Sequence, residues 1–223
     1  MTKELPNARR VRVDIVSDFV CPWCVLGYLR FSQASLKFKS HAQFDIRWQS
    51  FQLNPNIPEQ GKLLTEHWRD KLGYSDQQTK QTVEHITQLG LDLGFRFKYT
   101  AETKTYNTLK AHMLSLWASE YGKSTEFHMA LFRAYFGEGQ NINDPSVLID
   151  LCQGIGLDPN LAQAVLSENA TKAQLLTQQQ IIRQNGVNSV PTITMDSHYQ
   201  LVGARSVADY QALISQLVAQ QVH

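Results

Sequence analysis

Charge of one sign is the first thing this 223-residue sequence lacks: 21 Lys and Arg against 20 Asp and Glu leave a formal net charge of +1. The basic residues are scattered, so no long basic stripe exists to neutralise phosphates. Nucleic acids and anionic membranes are therefore not expected partners. Long apolar runs are missing as well. No segment approaches the roughly 20 residues that a membrane span needs, and the polar opening MTKELPNARRVRVD offers no apolar core for a secretory signal. The expected setting is cytoplasmic, where thiols are kept reduced. Cysteine is scarce, with only Cys21, Cys24 and Cys152 in the chain. So few cysteines in a reducing compartment argue against a framework of structural disulfides and turn attention to the one close pair. No fixed-period repeat or low-complexity tract is present either.

What is present is an ordinary globular composition, 43% hydrophobic and 18% charged. The stretch VRVDIVSDFV alternates Val11, Val13 and Ile15 with polar residues, the period of a half-buried strand. Pro22 then suits the first turn of a helix carrying Val25, Leu29 and Leu36 on or near one face, interrupted by Gly27. Phe44, Ile46 and Trp48 restore strand alternation. From residue 62 to 185 the pattern is helical with no convincing strand. Ser75 with Gln78 reads as a capping box, and Leu109, Met113, Leu116 and Trp117 form one stripe. Asp144–Pro145 and Asp158–Pro159 each open a helix, and a last helix runs over about 169–184. After Gly186, SVPTITM and YQLVG read as strands joined by a short turn at DSH. Ser206 with Asp209 caps a terminal helix. The order strand, helix, strand, helices, strand, strand, helix is that of an α/β thioredoxin fold, a mixed sheet flanked by helices with a large all-helical insertion. The expected division is residues 11–61 and 186–223 for the thioredoxin-like part and 62–185 for the insertion.

Cys21 and Cys24 stand three positions apart at the strand-to-helix junction. In a first helical turn their Cβ atoms are roughly 5 to 6 Å apart, against about 3.8 Å in a disulfide, so the pair can open and close with little backbone movement. Cys21 sits where unsatisfied N–H groups and the helix dipole favour a thiolate, which makes it the expected nucleophile. Cys24, one turn inside and flanked by Val25 and Leu26, is the expected resolving thiol. Two lesser readings stand beside this one. Structural zinc wants four ligands, but no second C-x-x-C and no matching histidine spacing exists; an inert buried pair is the other. Cys152, amid Val147, Leu148, Leu151 and Ile155 at helical spacing, reads as core. Trp23 either packs as a first-turn aromatic or joins a substrate surface. Val190 and Pro191, opening a late strand, are a second candidate site.

Taken together, DFVCPWCVLG, WQSFQLNP, NTLKAHML, FRAYFGEG and GVNSVPT resemble the DsbA-like thioredoxin superfamily, in particular its FrnE-type branch. Ser50, Gln52 and Ser189 depart from that branch's pattern, which favours proline, an acid and glycine at these places. The resemblance implies a thiol–disulfide oxidoreductase or isomerase working through Cys21 and Cys24. It also implies a cis peptide at Pro191, with the Val190 backbone available to pair with an extended substrate peptide; the expected partner is a disulfide- or dithiol-containing peptide or small molecule. No tightly bound cofactor and no metal are expected, with glutathione as a candidate reductant or cosubstrate. The alternative is a glutathione-dependent isomerase or transferase of a small aromatic, polyketide-like molecule, since 2-hydroxychromene-2-carboxylate isomerase and kappa-type transferases resemble this architecture. There Arg205 would meet a glutathione carboxylate. His112, in the NTLKAH segment, reads as an edge-of-core histidine rather than a proton carrier. Nothing in the sequence sets an oligomeric state.

Overall fold

Strand β1 (Arg9–Ser17) keeps the alternation of its sequence, and its inward residues Val11, Val13 and Ile15 are fully buried. The computed structural model describes residues 8–220; the first seven residues of the polar opening lie outside them. β1 runs parallel to β2 (Ala42–Ser50) and antiparallel to β5 (Thr192–Met195), which pairs antiparallel with β6 (Tyr199–Val202). The sheet order is β2-β1-β5-β6. Ile15 lies opposite Trp48 on one side and Ile193 on the other. The parallel step is crossed by α1 (Pro22–Leu36), and α9 (Val207–Ala219) packs beside it. Phe31 and Ala34 of α1 and Tyr210, Ile214 and Leu217 of α9 close the core over the buried valines and isoleucines of the sheet. Asp196 and Ser197, at φ 48° and 63°, turn the β5–β6 hairpin as its two central positions require.

Between β2 and β5 come α2 (Leu64–Leu72), α3 (Asp76–Asp92), α4 (Leu109–Glu120) and α5 (Ser124–Phe132), the last continuing as a π turn over Arg133–Gly137. They are followed by α6 (Pro145–Gly154), α7 (Pro159–Leu166) and α8 (Asn169–Gln184). The expected caps form. Ser75 and Gln78 make a reciprocal box, as do Ser206 and Asp209, and the carboxylates of Asp144 and Asp158 accept N–H groups of their first turns. Each such cap stabilises its helix by about 1 kcal/mol.

Three expectations need correction. A two-stranded ribbon, β3 (Lys62–Leu63) with β4 (Lys104–Thr105), lies inside the segment read as strandless; two residues are too few to show alternation. On α4 the stripe is not a single face, because Ala111, His112, Leu114, Ser115 and Ala118 are buried too and the helix is enclosed on most sides. Leu36, assigned to the buried face of α1, is 65% exposed at the helix end. The helical cluster is also continuous with the start of α1: Phe19, Cys24, Val25 and Leu26 pack in the same apolar core as Phe127, Leu131 and Phe132. Among the described residues no helix is long and apolar enough to cross a membrane.

Candidate active site

β1 ends at Ser17, and the chain turns into α1 within four residues, Cys21 N–H donating to the Asp18 carbonyl at 3.2 Å. Cys21 is the N-cap of α1 with extended backbone, φ −98° and ψ 108°, and Pro22 follows as the first helical residue. Proline fits there because its missing N–H would have had no partner. No side chain caps this helix start, so Cys21 stands at the positive end of the helix dipole. Cys24 N–H donates to the Cys21 carbonyl at 3.0 Å, which stacks the second thiol one turn below the first. Cys21 is 5% exposed and Cys24 is wholly buried. Both are free thiols. Burial pushes the Cys24 thiol well up, and the adjacent Cys21 sulfur adds to the shift by hydrogen bond and charge. Cys24 therefore holds its proton firmly.

Pro191 lies across from this corner. The Val190–Pro191 peptide is cis, and the Val190 carbonyl oxygen stands 3.7 Å from Cys21 Sγ. Gly203 N–H donates to the Pro191 carbonyl at 2.8 Å, Thr192 Oγ1 to the Ser189 carbonyl at 2.8 Å, and Arg30 Nη1 to the Ala204 carbonyl at 2.7 Å. The Pro191 loop is thus tied to Gly203, just after β6, and to its own first turn, while α1 holds the neighbouring Ala204. Gly27 permits the close approach, since a methyl group there would lie 2.9 Å from Pro191 Cγ. The structure brings Cys21, Cys24, Val190 and Pro191 together. Trp23 stays half-buried, its ring tilted against His85 of α3 at 6.3 Å. Cys152 is buried on α6 in the same apolar core, where burial pushes its thiol up to about 12. Arg205 turns back on the backbone, Nε donating to the Val202 carbonyl at 2.9 Å.

Beneath the corner lies a residue that the sequence reading passed over. Asp18 is fully buried; one carboxylate oxygen accepts Leu53 N–H at 2.7 Å and the other is 3.2 Å from His112 Nε2. His112 is equally buried, with Nδ1 unpartnered among the described residues. The available signal was an acid standing at the apolar end of a strand, three places before Cys21. Its partner 94 residues away carried none.

Cys21 opens into a cavity of about 300 Å³ whose wall includes Trp23, Val190, His67, Trp68, Lys71 and Ile86. Trp23 and Val190 belong to the cysteine corner and its facing loop, whereas the other four come from α2 and α3. No sequence motif pointed to α2. Burial holds the His67 pKa below the ordinary histidine value, and the charges of Lys71 and Lys62 lower it further. Among the described residues no three His, Cys, Asp or Glu side chains gather as a metal site requires. The arrangement can take a sulfur electrophile at Cys21 and hold its chain against the Val190 backbone, with a second, protonated thiol directly below.

Comparison with known proteins agrees with this geometry. The uncharacterised protein YwbO of Bacillus subtilis (strain 168) is 29% identical over 148 residues, 66% of this chain and 68% of its own. A probable DsbA oxidoreductase from Streptomyces coelicolor superposes with a TM-score of 0.86 at 25% identity, over 92% of this chain and 89% of that one. A 2-hydroxychromene-2-carboxylate isomerase shares the fold, with a TM-score of 0.70 at 17% identity over 95% and 98% of the two chains. Residues 12–215 match the DSBA-like thioredoxin domain, and the chain belongs to that family.

Proposed function

We propose that the protein catalyses thiol–disulfide exchange, with Cys21 as nucleophile and Cys24 as resolving thiol. The observation that carries the proposal is the placement of Cys21. Its sulfur sits at an uncapped helix start, on a cavity wall, 3.7 Å from the carbonyl of the cis Val190–Pro191 peptide, while Cys24 is buried beneath it. In the reducing direction the Cys21 thiolate attacks one sulfur of the substrate. A Cys21–S bond forms, the substrate S–S bond breaks, and the released thiolate leaves with the electron pair. Cys24 then loses its proton and attacks Cys21 Sγ, expelling the second substrate thiolate and closing a Cys21–Cys24 disulfide. Read backwards, the same steps oxidise a substrate dithiol.

Val190 offers backbone to an extended peptide substrate, and Trp23 an aromatic surface beside it. Residues 62–185 act in this reading as an inserted helical unit that supplies the outer cavity wall. Three cysteines in 223 residues support a reducing, cytoplasmic setting, in which glutathione or a similar small thiol would return the disulfide to the dithiol. Two variants test the proposal. Cys21→Ser loses insulin reduction and the refolding of a scrambled substrate, and Cys24→Ala stops at a mixed disulfide visible by mass spectrometry. Full activity in Cys21→Ser sinks it.

A further inference from the structure

The cavity beside Cys21 is short of one thing, negative charge. Among the described residues no Asp or Glu lines it, while α2 brings Lys71 and His67 to its wall. Of the carboxylates on and near α2, Asp70 pairs with Lys62 and Asp76 with Arg69, Glu66 lines no part of the cavity, and none pairs with Lys71. Lys71 Nζ donates to the Leu53 carbonyl at 3.1 Å and to Asn54 Oδ1 at 2.6 Å. An ammonium group has three donors, so one N–H and a full positive charge remain for a ligand at the cavity rim. His67 is 9% exposed, and neither ring nitrogen has a hydrogen-bond partner among the described residues.

Position strengthens the case. Leu53, whose carbonyl holds Lys71, donates its N–H to Asp18, and the Asp18 carbonyl accepts Cys21 N–H. Three hydrogen bonds therefore connect the lysine to the nucleophile's own turn. Trp23, Trp68 and Tyr74 give the cavity aromatic walls. Its volume of about 300 Å³ is at the small end for a ligand site, enough for a small molecule and too little for a length of folded chain.

We propose that this cavity selects small disulfides, or the mixed disulfides made from them, that carry a carboxylate on an apolar body. Lys71 receives the carboxylate and His67 donates a second hydrogen bond. The inference rests on exchange at Cys21. The reacting step is unchanged: a Cys21–S bond forms, the ligand S–S bond breaks, and the leaving thiolate takes the electron pair. What the subsite adds is a preference between ligands of one reactivity and opposite charge character. A carboxylate there would also ease protonation of His67, whose proton is disfavoured by burial and by two lysines.

The test uses two aromatic disulfides, dianionic dithiobis(nitrobenzoate) and neutral dithiodipyridine, with the reduced full-length protein in stopped flow. Cys21→Ser supplies the background rate, and the ratio of anionic to neutral rate is the readout because thiolate content cancels from it. Lys71→Gln lowers this ratio by up to about fivefold, the reach of an exposed charge pair, and Lys71→Arg restores most of it. An unchanged ratio in Lys71→Gln overturns the subsite while leaving exchange at Cys21 intact. If neither disulfide reacts above the Cys21→Ser background, the exchange reading falls, and the subsite with it.

Discussion

Gly27 is a helix-interior glycine, and replacing such a residue with alanine ordinarily stabilises a protein by about 1 kcal/mol. Here the added methyl would lie 2.9 Å from Pro191 Cγ, 3.5 Å from Pro191 Cβ and 3.6 Å from Ala204 Cα. Those neighbours have little freedom. The proline ring is fixed to backbone held by Gly203 N–H, and Arg30 pins the Ala204 carbonyl. Overpacking of this kind costs about 1–3 kcal/mol. Set against the propensity gain, Gly27→Ala is predicted to lose up to about 2 kcal/mol. Gly154, at the end of α6 with nothing within 4 Å of an added methyl, is the matched control and gains a few tenths to about 1 kcal/mol. Urea midpoints at constant m-value measure both. The change is also functional, because the displaced loop carries the Val190 carbonyl that stands 3.7 Å from Cys21 Sγ. Misplacement by a few tenths of an ångström lowers the exchange rate severalfold, below the roughly hundredfold loss expected for a full ångström. A Gly27→Ala variant stabilised like Gly154→Ala, and with its full exchange rate, would refute the argument.

Two further predictions concern the buried polar groups around the site. Burial holds the His128 pKa down to about 3 against 6.5 for an ordinary histidine, so below about pH 6.5 the unfolded chain binds a proton that the folded chain refuses. Stability present above that pH is therefore lost as pH falls toward 3, at roughly 1.4 kcal/mol per unit, or about 2 kcal/mol by about pH 5. His128→Phe keeps a ring stacked on Trp48, whose present centroid distance is 4.0 Å, and flattens the slope; parallel urea-midpoint profiles for the two proteins would contradict this. Asp18→Ala strands the Leu53 N–H and removes the partner of His112 Nε2, at a cost of about 3 kcal/mol, whereas Asp18→Asn keeps an acceptor and loses less. Denaturant unfolding decides, and an alanine variant within about 0.5 kcal/mol of wild type rules the role out.

What could be read from the sequence was what the chain settles locally. The boxes at Ser75–Gln78 and Ser206–Asp209, the Asp–Pro helix starts, the hairpin at Asp196–Ser197 and the junction at Cys21 each depend on residues within a few places of one another. Alternation at Val11, Val13 and Ile15 showed which side chains of β1 are buried. Contacts across the chain left no such trace. His112 looked like an edge residue because a helical stripe cannot show that α4 is enclosed, and its pairing with Asp18 spans 94 residues. Lys71 and His67 lie on an exposed-looking amphipathic helix, and only the packing of α2 beside the cysteine corner gives them a cavity to line. Arg205 Nε donates to the Val202 carbonyl, a contact that the sequence did not show.

The proposed division of labour between the two thiols has two independent physical supports. One is electrostatic: Cys21 stands at the start of α1, which no side chain caps, whereas burial and the neighbouring sulfur keep Cys24 protonated. The other is access. Cys24 has no exposed surface, so no substrate sulfur reaches it in line, whereas Cys21 lines the cavity shared with α2. Access alone would impose the order of attack even if the two thiols had equal proton affinities. In the proposed reading, substrate choice rests on α2 as well as on Trp23 of the C-P-W-C motif. Trp68 and Lys71 line the cavity that Cys21 opens into, so substitutions on α2 are predicted to alter which disulfide reacts, and substitutions at Pro22 chiefly how fast. The Lys71 rate ratio separates these two effects. An altered ratio with Cys21 intact assigns selection to α2, and an unaltered ratio returns it to the cysteine corner.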